Sequence, residues 1–221
     1  EHDVHVLLDA SASMVRPDAE KWERARRIAG AIAYVGLSRM DRVGLWPIVA
    51  GERGLARPFP LAGGKRRAAA MFRWLEALEP AGTTDLAAAA ELFARQVPRG
   101  VAVVVSDLYD AGEGEASGAR EGLARLVRAG FEVLVVQVTG RGDDAPGEAG
   151  RLELVDAENA RVVRGRVTAR ARRAYAESLA KERAAIASML LASGGAFALA
   201  PPGRALEDVL LRDLRRAGVL G

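Results

Sequence analysis

Val4-His5-Val6-Leu7-Leu8-Asp9-Ala10-Ser11-Ala12-Ser13-Met14 climbs through strand-forming residues to an aspartate and then sets two serines at alternate positions. An apolar run ending in small polar residues reads as a buried strand whose C-terminal end carries oxygen atoms. Asp9, Ser11 and Ser13 can then point into one small volume, which suits a hard cation such as Mg²⁺. The same residues also read as a strand and a polar loop, with the serines capping the helix that follows.

A second run, Val101-Ala102-Val103-Val104-Val105-Ser106-Asp107, is almost wholly apolar and again ends in an acid. Continuous β-branched runs belong to parallel strands covered on both faces, and Glu132 to Val138 is another of that kind. Helical periodicity separates these strands. From Ala19 to about Leu37, Trp22, Ala25, Ile28, Ala29, Ile32, Ala33 and Gly36 share a stripe, with Asp18 placed to cap it. Val43 to Val49 reads as a strand, and an extended edge piece between Gly51 and Pro60 tolerates its prolines.

Lys65 to Leu78 is periodic, with Ala68, Met71, Phe72, Leu75 and Leu78 inward. Further helices are expected from Leu86 to about Gln96, from about Ala119 to Ala129, and from about Ala169 to Ala192. The last has Tyr175, Leu179, Ile186 and Leu190 as its inner face. Leu152–Asp156 and Arg161–Val163 suggest a small hairpin, Ala196–Leu199 a last strand, and Leu206, Val209, Leu210 and Leu214 a closing helix. This alternation predicts an α/β chain: a three-layer, doubly wound, mostly parallel sheet, helices on both faces and one short antiparallel edge strand. No linker or repeat divides it, so residues 1–221 are expected to form a single domain.

Composition narrows the chemistry. The 221 residues are 50% hydrophobic and 28% charged, ordinary for a soluble globular chain. With no cysteine, disulfides, thiol catalysis and Cys-based zinc sites are excluded. Lys and Arg total 32 against 29 acids, and only Lys21, Lys65 and Lys181 are lysines. These bases lie among acids along helices, and no aromatic platform accompanies them, so nucleic-acid binding is not expected. No apolar stretch approaches the roughly 20 residues that span a bilayer. The opening on a strand at Glu1 suggests a segment of a longer protein, with an anchor or another domain upstream. The expected location is cytoplasmic, as the soluble domain of a membrane-anchored protein.

In an open parallel sheet, ligands bind outside the carboxyl ends of the strands, where strand order reverses. Asp9-Ser11-Ser13, the loop Thr83-Thr84-Asp85 and Asp107 all belong to such ends if the first strand and the Asp107 strand are neighbours. Hydroxyls and carboxylates without His or Cys match Mg²⁺ or Mn²⁺ rather than zinc or copper. An ion held mostly by neutral hydroxyls keeps much of its charge and seeks an outside anion, most simply a partner protein's carboxylate. That is binding, and it needs no general base.

Asp9-Ala10-Ser11-Ala12-Ser13 resembles the D-x-S-x-S signature of the von Willebrand factor type A domain and its metal-ion-dependent adhesion site (MIDAS). More narrowly, the chain is similar to the bacterial family known as domain of unknown function fifty-eight (DUF58). The resemblance is carried by Leu7 to Met14, Ala25-Arg26-Arg27, Asp41-Arg42-Val43-Gly44-Leu45, Gly82-Thr83-Thr84-Asp85-Leu86 and Val105-Ser106-Asp107-Leu108. It implies that the Ser11, Ser13 and Thr84 hydroxyls bind metal, with Asp9 and Asp107 binding directly or through water. Thr84 is favoured over Thr83 because Thr84-Asp85-Leu86 aligns with the family's Thr-Asp-Leu. Asp107 is followed by Leu108, where type A domains at large commonly carry Gly. The resemblance further implies a protein partner, with MoxR-type AAA+ ATPases as associates.

Other readings compete. Asp9 at a strand end could serve as the nucleophile of a metal-dependent hydrolase or phosphoryl-transfer enzyme, but no second aspartate lies two positions later and no general acid is evident. A scaffold that binds through its helices would need no metal. Asp85 reads as a helix N-terminal charge rather than a direct ligand. His2 and His5 read as the exposed start of the first strand, on opposite faces, and not as ligands. Gly63-Gly64-Lys65 lacks the phosphate-loop spacing. The expected function is therefore a non-enzymatic, divalent-metal-dependent protein-binding module.

Overall fold

The computed structural model describes residues 2–49, 55–109, 118–144, 150–155 and 162–209, and structural statements refer to these. In chain order the elements are β1 (Asp3–Asp9), α1 (Ala19–Ser38), β2 (Arg42–Ile48), β3 (Phe59–Ala62), α2 (Ala68–Glu76), α3 (Leu86–Gln96), β4 (Val101–Ser106), α4 (Gly118–Arg128), β5 (Glu132–Val138), β6 (Gly150–Val155), β7 (Val162–Val167), α5 (Ala169–Ala192) and β8 (Ala196–Ala200). Six strands form one sheet in the order β3-β2-β1-β4-β5-β8. Only β3, on the edge, runs antiparallel, beside β2. This is the mixed, mostly parallel architecture expected.

Order reverses at β1, which pairs with β2 on one side and with β4 on the other, Leu8 opposite Val105. The ends of β1 and β4 therefore meet at the switch point.

The apolar runs are continuous because each central strand feeds two cores. Val6, Leu8, Val103, Val105, Leu134 and Val136 pack with Ile28 and Ile32 of α1. Leu7, Ala102, Val104, Val133 and Val135 pack on the other face with Phe93 of α3, Leu123 of α4 and Ile186 of α5. Asp18 caps α1 by accepting from the Glu20 N–H, as its position implied.

Several details depart from the sequence reading. His5 is fully buried, among Trp46, Phe93 and Phe131, rather than exposed. A half-buried sheet would expose one face of β1; here helices cover both. Phe72 is 40% exposed and tilts onto Tyr34 instead of joining the core. The edge strand is Phe59–Ala62, later than expected, while residues 51–54 lie outside the described set.

Lys65–Arg67 is a 3₁₀ turn leading into the shorter α2. The hairpin is real but separate: β6 and β7 pair antiparallel as their own two-stranded sheet. Of α5's expected inner face, Ile186 and Leu190 are buried, whereas Tyr175 is 37% exposed. The expected closing helix falls largely beyond residue 209, outside the described residues.

Candidate metal centre

Asp9 is the last residue of β1 and is fully buried. The chain then turns away from the sheet, and two backbone bonds tie this turn to the loop before α3. Ala12 N–H donates to the Gly82 carbonyl at 3.0 Å, and Ala81 N–H donates to the Ala10 carbonyl at 2.8 Å. Gly82 has φ 72°, in the left-handed region that glycine enters without strain. This stitch brings Thr84, distant in sequence, onto Asp9.

The five predicted residues converge. Thr84 Oγ1 donates to Asp9 Oδ1 at 2.9 Å, and Ser11 N–H donates to the same oxygen at 3.0 Å. The Ser11 and Ser13 hydroxyls are 3.0 Å apart, and Ser13 Oγ donates to Asp107 Oδ2 at 3.0 Å. Thr84 is the inward threonine, only 8% exposed. Asp85 instead caps α3, accepting from Ala88 N–H at 2.8 Å.

Sequence reasoning missed four participants. Ser106 Oγ donates to Asp9 Oδ2 at 2.6 Å, so both Asp9 oxygens are engaged. Lys21, only 2% exposed, donates to Asp107 Oδ2 at 2.8 Å and to Asp143 Oδ2 at 3.3 Å. Tyr109 hydroxyl donates to the Asp143 carbonyl at 2.8 Å. The signal for Lys21 was faint: it is one of three lysines in an arginine-rich chain and precedes Trp22 on the α1 stripe. For Asp143, in a loop, no pattern pointed inward.

Leu108, directly after Asp107, has φ 61°. A β-unbranched residue tolerates this region only at a cost. Here Leu108 is only 8% exposed and its N–H donates to Ser106 Oγ at 2.9 Å. Glycine would enter that conformation without strain.

The electrostatics are asymmetric. Burial first, then the neighbouring Asp9 charge, pushes the Asp107 carboxyl up to about 6, against the pull of Lys21. Burial alone would push the Lys21 ammonium down, but Asp107 and Asp143 outweigh it and its pKa is raised. The pair thus reads as a charged lysine between two acids, with Asp107 crowded by Asp9.

The donor set fits a small hard cation. Octahedral Mg²⁺ holds oxygens at about 2.1 Å, which places adjacent ligands roughly 3 Å apart. The Ser11–Ser13 and Ser13–Asp107 separations, each 3.0 Å, match that spacing. Among the described residues there is no group of three or more His, Cys, Asp or Glu side chains placed to hold an ion. Any metal here relies on hydroxyls.

Residues 1–185 match the family described as "Protein of unknown function DUF58". The chain belongs to the DUF58 family. The DUF58 chain is similar in fold to BatB from Bacteroides thetaiotaomicron, with 16% identity, 99% of each chain covered and a TM-score of 0.56. It is also similar to an aerotolerance-related membrane protein from Bacteroides fragilis, with 19% identity over 98% of this chain and 100% of that one, TM-score 0.53. A third likeness is to the pilus adhesin SpaC from Lactobacillus rhamnosus GG, with 11% identity, 99% of this chain but 30% of that one, TM-score 0.59. No curated protein matches the sequence. At these identities the likenesses concern the fold, which is von Willebrand factor A-like. No helix among the described residues is long and apolar enough to cross a membrane.

Proposed function

We propose that this DUF58 chain is a divalent-metal-dependent protein-binding module whose metal-ion-dependent adhesion site is built from Asp9, Ser11, Ser13, Thr84 and Asp107. The observation that carries the reading is the cup of hydroxyl and carboxylate oxygens at 3.0 Å spacing beside a buried ammonium. Ser11, Ser13 and Thr84 would hold Mg²⁺ or Mn²⁺ through hydroxyls, and Asp9 and Asp107 would hold it directly or through water. When bound, the ion supplies a Lewis-acidic position for an outside carboxylate.

The chain's own residues favour binding over catalysis. Lys21 offsets one carboxylate charge at the cup, so the site under-neutralises a dication and leaves it attractive to an anion. Asp9 is buried with both oxygens hydrogen-bonded, a poor state for a nucleophile. No general acid stands beside it in the set described above. The partner would present an acidic residue, and a MoxR-type AAA+ ATPase is the first to try.

Calorimetric titration with Mg²⁺ and Mn²⁺ tests the reading. Saturable one-site binding is expected, weakened about tenfold or more in Ser11→Ala with Thr84→Ala. Absence of binding, or indifference to that double substitution, would sink it, as would turnover of a phosphate ester lost in Asp9→Asn.

A further inference from the structure

Helix α5 is longer than the strand it covers. Its 24 residues extend about 36 Å, whereas the five residues of β8 extend about 17 Å. The helix C-terminus feeds β8 at the far end of the sheet, so the N-terminal half overshoots the rim where the strands end. Residues 169–178 are exposed throughout. What anchors the overshoot is the loop of the candidate metal centre. Tyr175 hydroxyl donates to the Asp143 carbonyl at 2.9 Å, and Arg183 pairs with Asp144 at 2.6 Å. Asp143 in turn meets Lys21, which holds Asp107.

The overshooting segment is basic. Residues 169–178 carry three arginines against one acid, Glu177. Arg170, Arg172 and Arg173 are all exposed. Arg172 precedes Tyr175 by three residues and therefore shares its face, toward the cup. The whole chain reaches only +3, and Arg53 to Arg73 is likewise basic without an acid.

We infer that the N-terminal half of α5 forms a basic arm that, together with the metal cup, receives an acidic surface of a partner protein. This rests on the metal-dependent reading of the cup. One partner satisfies both features if it carries a carboxylate for the ion and further acids for the arm. RNA fits less well, because Tyr175 is the one aromatic side chain among residues 162–178, too few for a stacking platform. An anionic membrane fits less well, because residues 169–178 include the acid Glu177 and, apart from Tyr175, no apolar side chain larger than alanine.

The test uses the full chain and a ten-glutamate peptide, with Mg²⁺ present, read by fluorescence anisotropy. Arg170→Glu with Arg172→Glu and Arg173→Glu is expected to weaken peptide binding about tenfold or more. The matching Arg→Lys triple is expected to retain it. Acids in a first helical turn favour the helix, so folding survives and circular dichroism checks it. Calorimetric Mg²⁺ binding stays unchanged in the Glu triple.

Unchanged peptide affinity in that triple overturns the arm and leaves the metal reading standing. Absent Mg²⁺ binding with an arm-dependent peptide supports the arm and removes the metal reading. Displacement of the peptide by single-stranded RNA or phosphatidylserine vesicles at lower concentration overturns the assignment to an acidic protein. So does arm-dependent self-association by sedimentation.

Discussion

Asp107 gathers the Ser13 hydroxyl, the Lys21 ammonium and the Tyr109 N–H on its two oxygens. Removing Lys21 leaves buried carboxylates without their cation, so Lys21→Met is expected to lose about 3 kcal/mol in urea unfolding. The same variant is expected to gain more stability from Mg²⁺ than the parent does, because a cation returns to Asp107. An equal Mg²⁺ response in both would contradict the cup's position. Ser106 serves two neighbours at once, donating to Asp9 and accepting from Leu108 N–H. Ser106→Ala should therefore cost roughly 2 kcal/mol and weaken Mg²⁺ binding about tenfold by misorienting Asp9. Titration of the purified variant with Mg²⁺ reads that loss directly.

Helices α3 and α4 approach so closely that Gly122 lies against the first turn of α3. A Cβ there would meet the Leu86 carbonyl oxygen at 2.6 Å. Gly122→Ala is expected to destabilise by about 1–3 kcal/mol, a fall of several degrees in melting temperature. Because Leu86 follows Thr84 and Asp85, the shift would reach the cup and reduce metal affinity as well. Scanning calorimetry with and without Mg²⁺ separates the two effects, and an unchanged melt would refute the tight crossing.

At this scale the sequence was largely readable. Helix stripes and apolar runs placed α1, α3, β4, β5 and α5 within a residue or two, because periodicity is a local property. Phe72 and Tyr175 were misread since the same period does not say which flank of a stripe meets the core and which meets a neighbouring loop.

Across the whole molecule, the buried His5 couples stability to pH. Its ring is 5.2 Å from Phe93 and 6.2 Å from Trp46, and neither ring nitrogen has a hydrogen-bond partner. Burial lowers its pKa from 6.5 to about 4, with Asp3 opposing and Arg42 assisting. The unfolded chain therefore binds more protons between those values, so stability present above about pH 6.5 is lost as pH falls toward 4. The contribution is roughly 3 kcal/mol. His5→Leu should flatten this acid limb in urea midpoints measured from neutral pH to pH 4. An acid limb as steep as the parent's would show that other groups drive it.

The sequence by itself determined that strands and helices alternate, that the central strands are covered twice, and that oxygen-bearing residues sit at the ends of two of those strands. These are patterns within a few residues of one another. Only tertiary structure decided that β1 and β4 are neighbours at the reversal of strand order, which carries Ser106 to Asp9 across 97 positions. It alone placed Lys21 between Asp107 and an acid 122 positions away, buried His5 under a second layer, and sent α5 past the rim. Such contacts follow from which surfaces the chain must cover when it closes, and no local period records them.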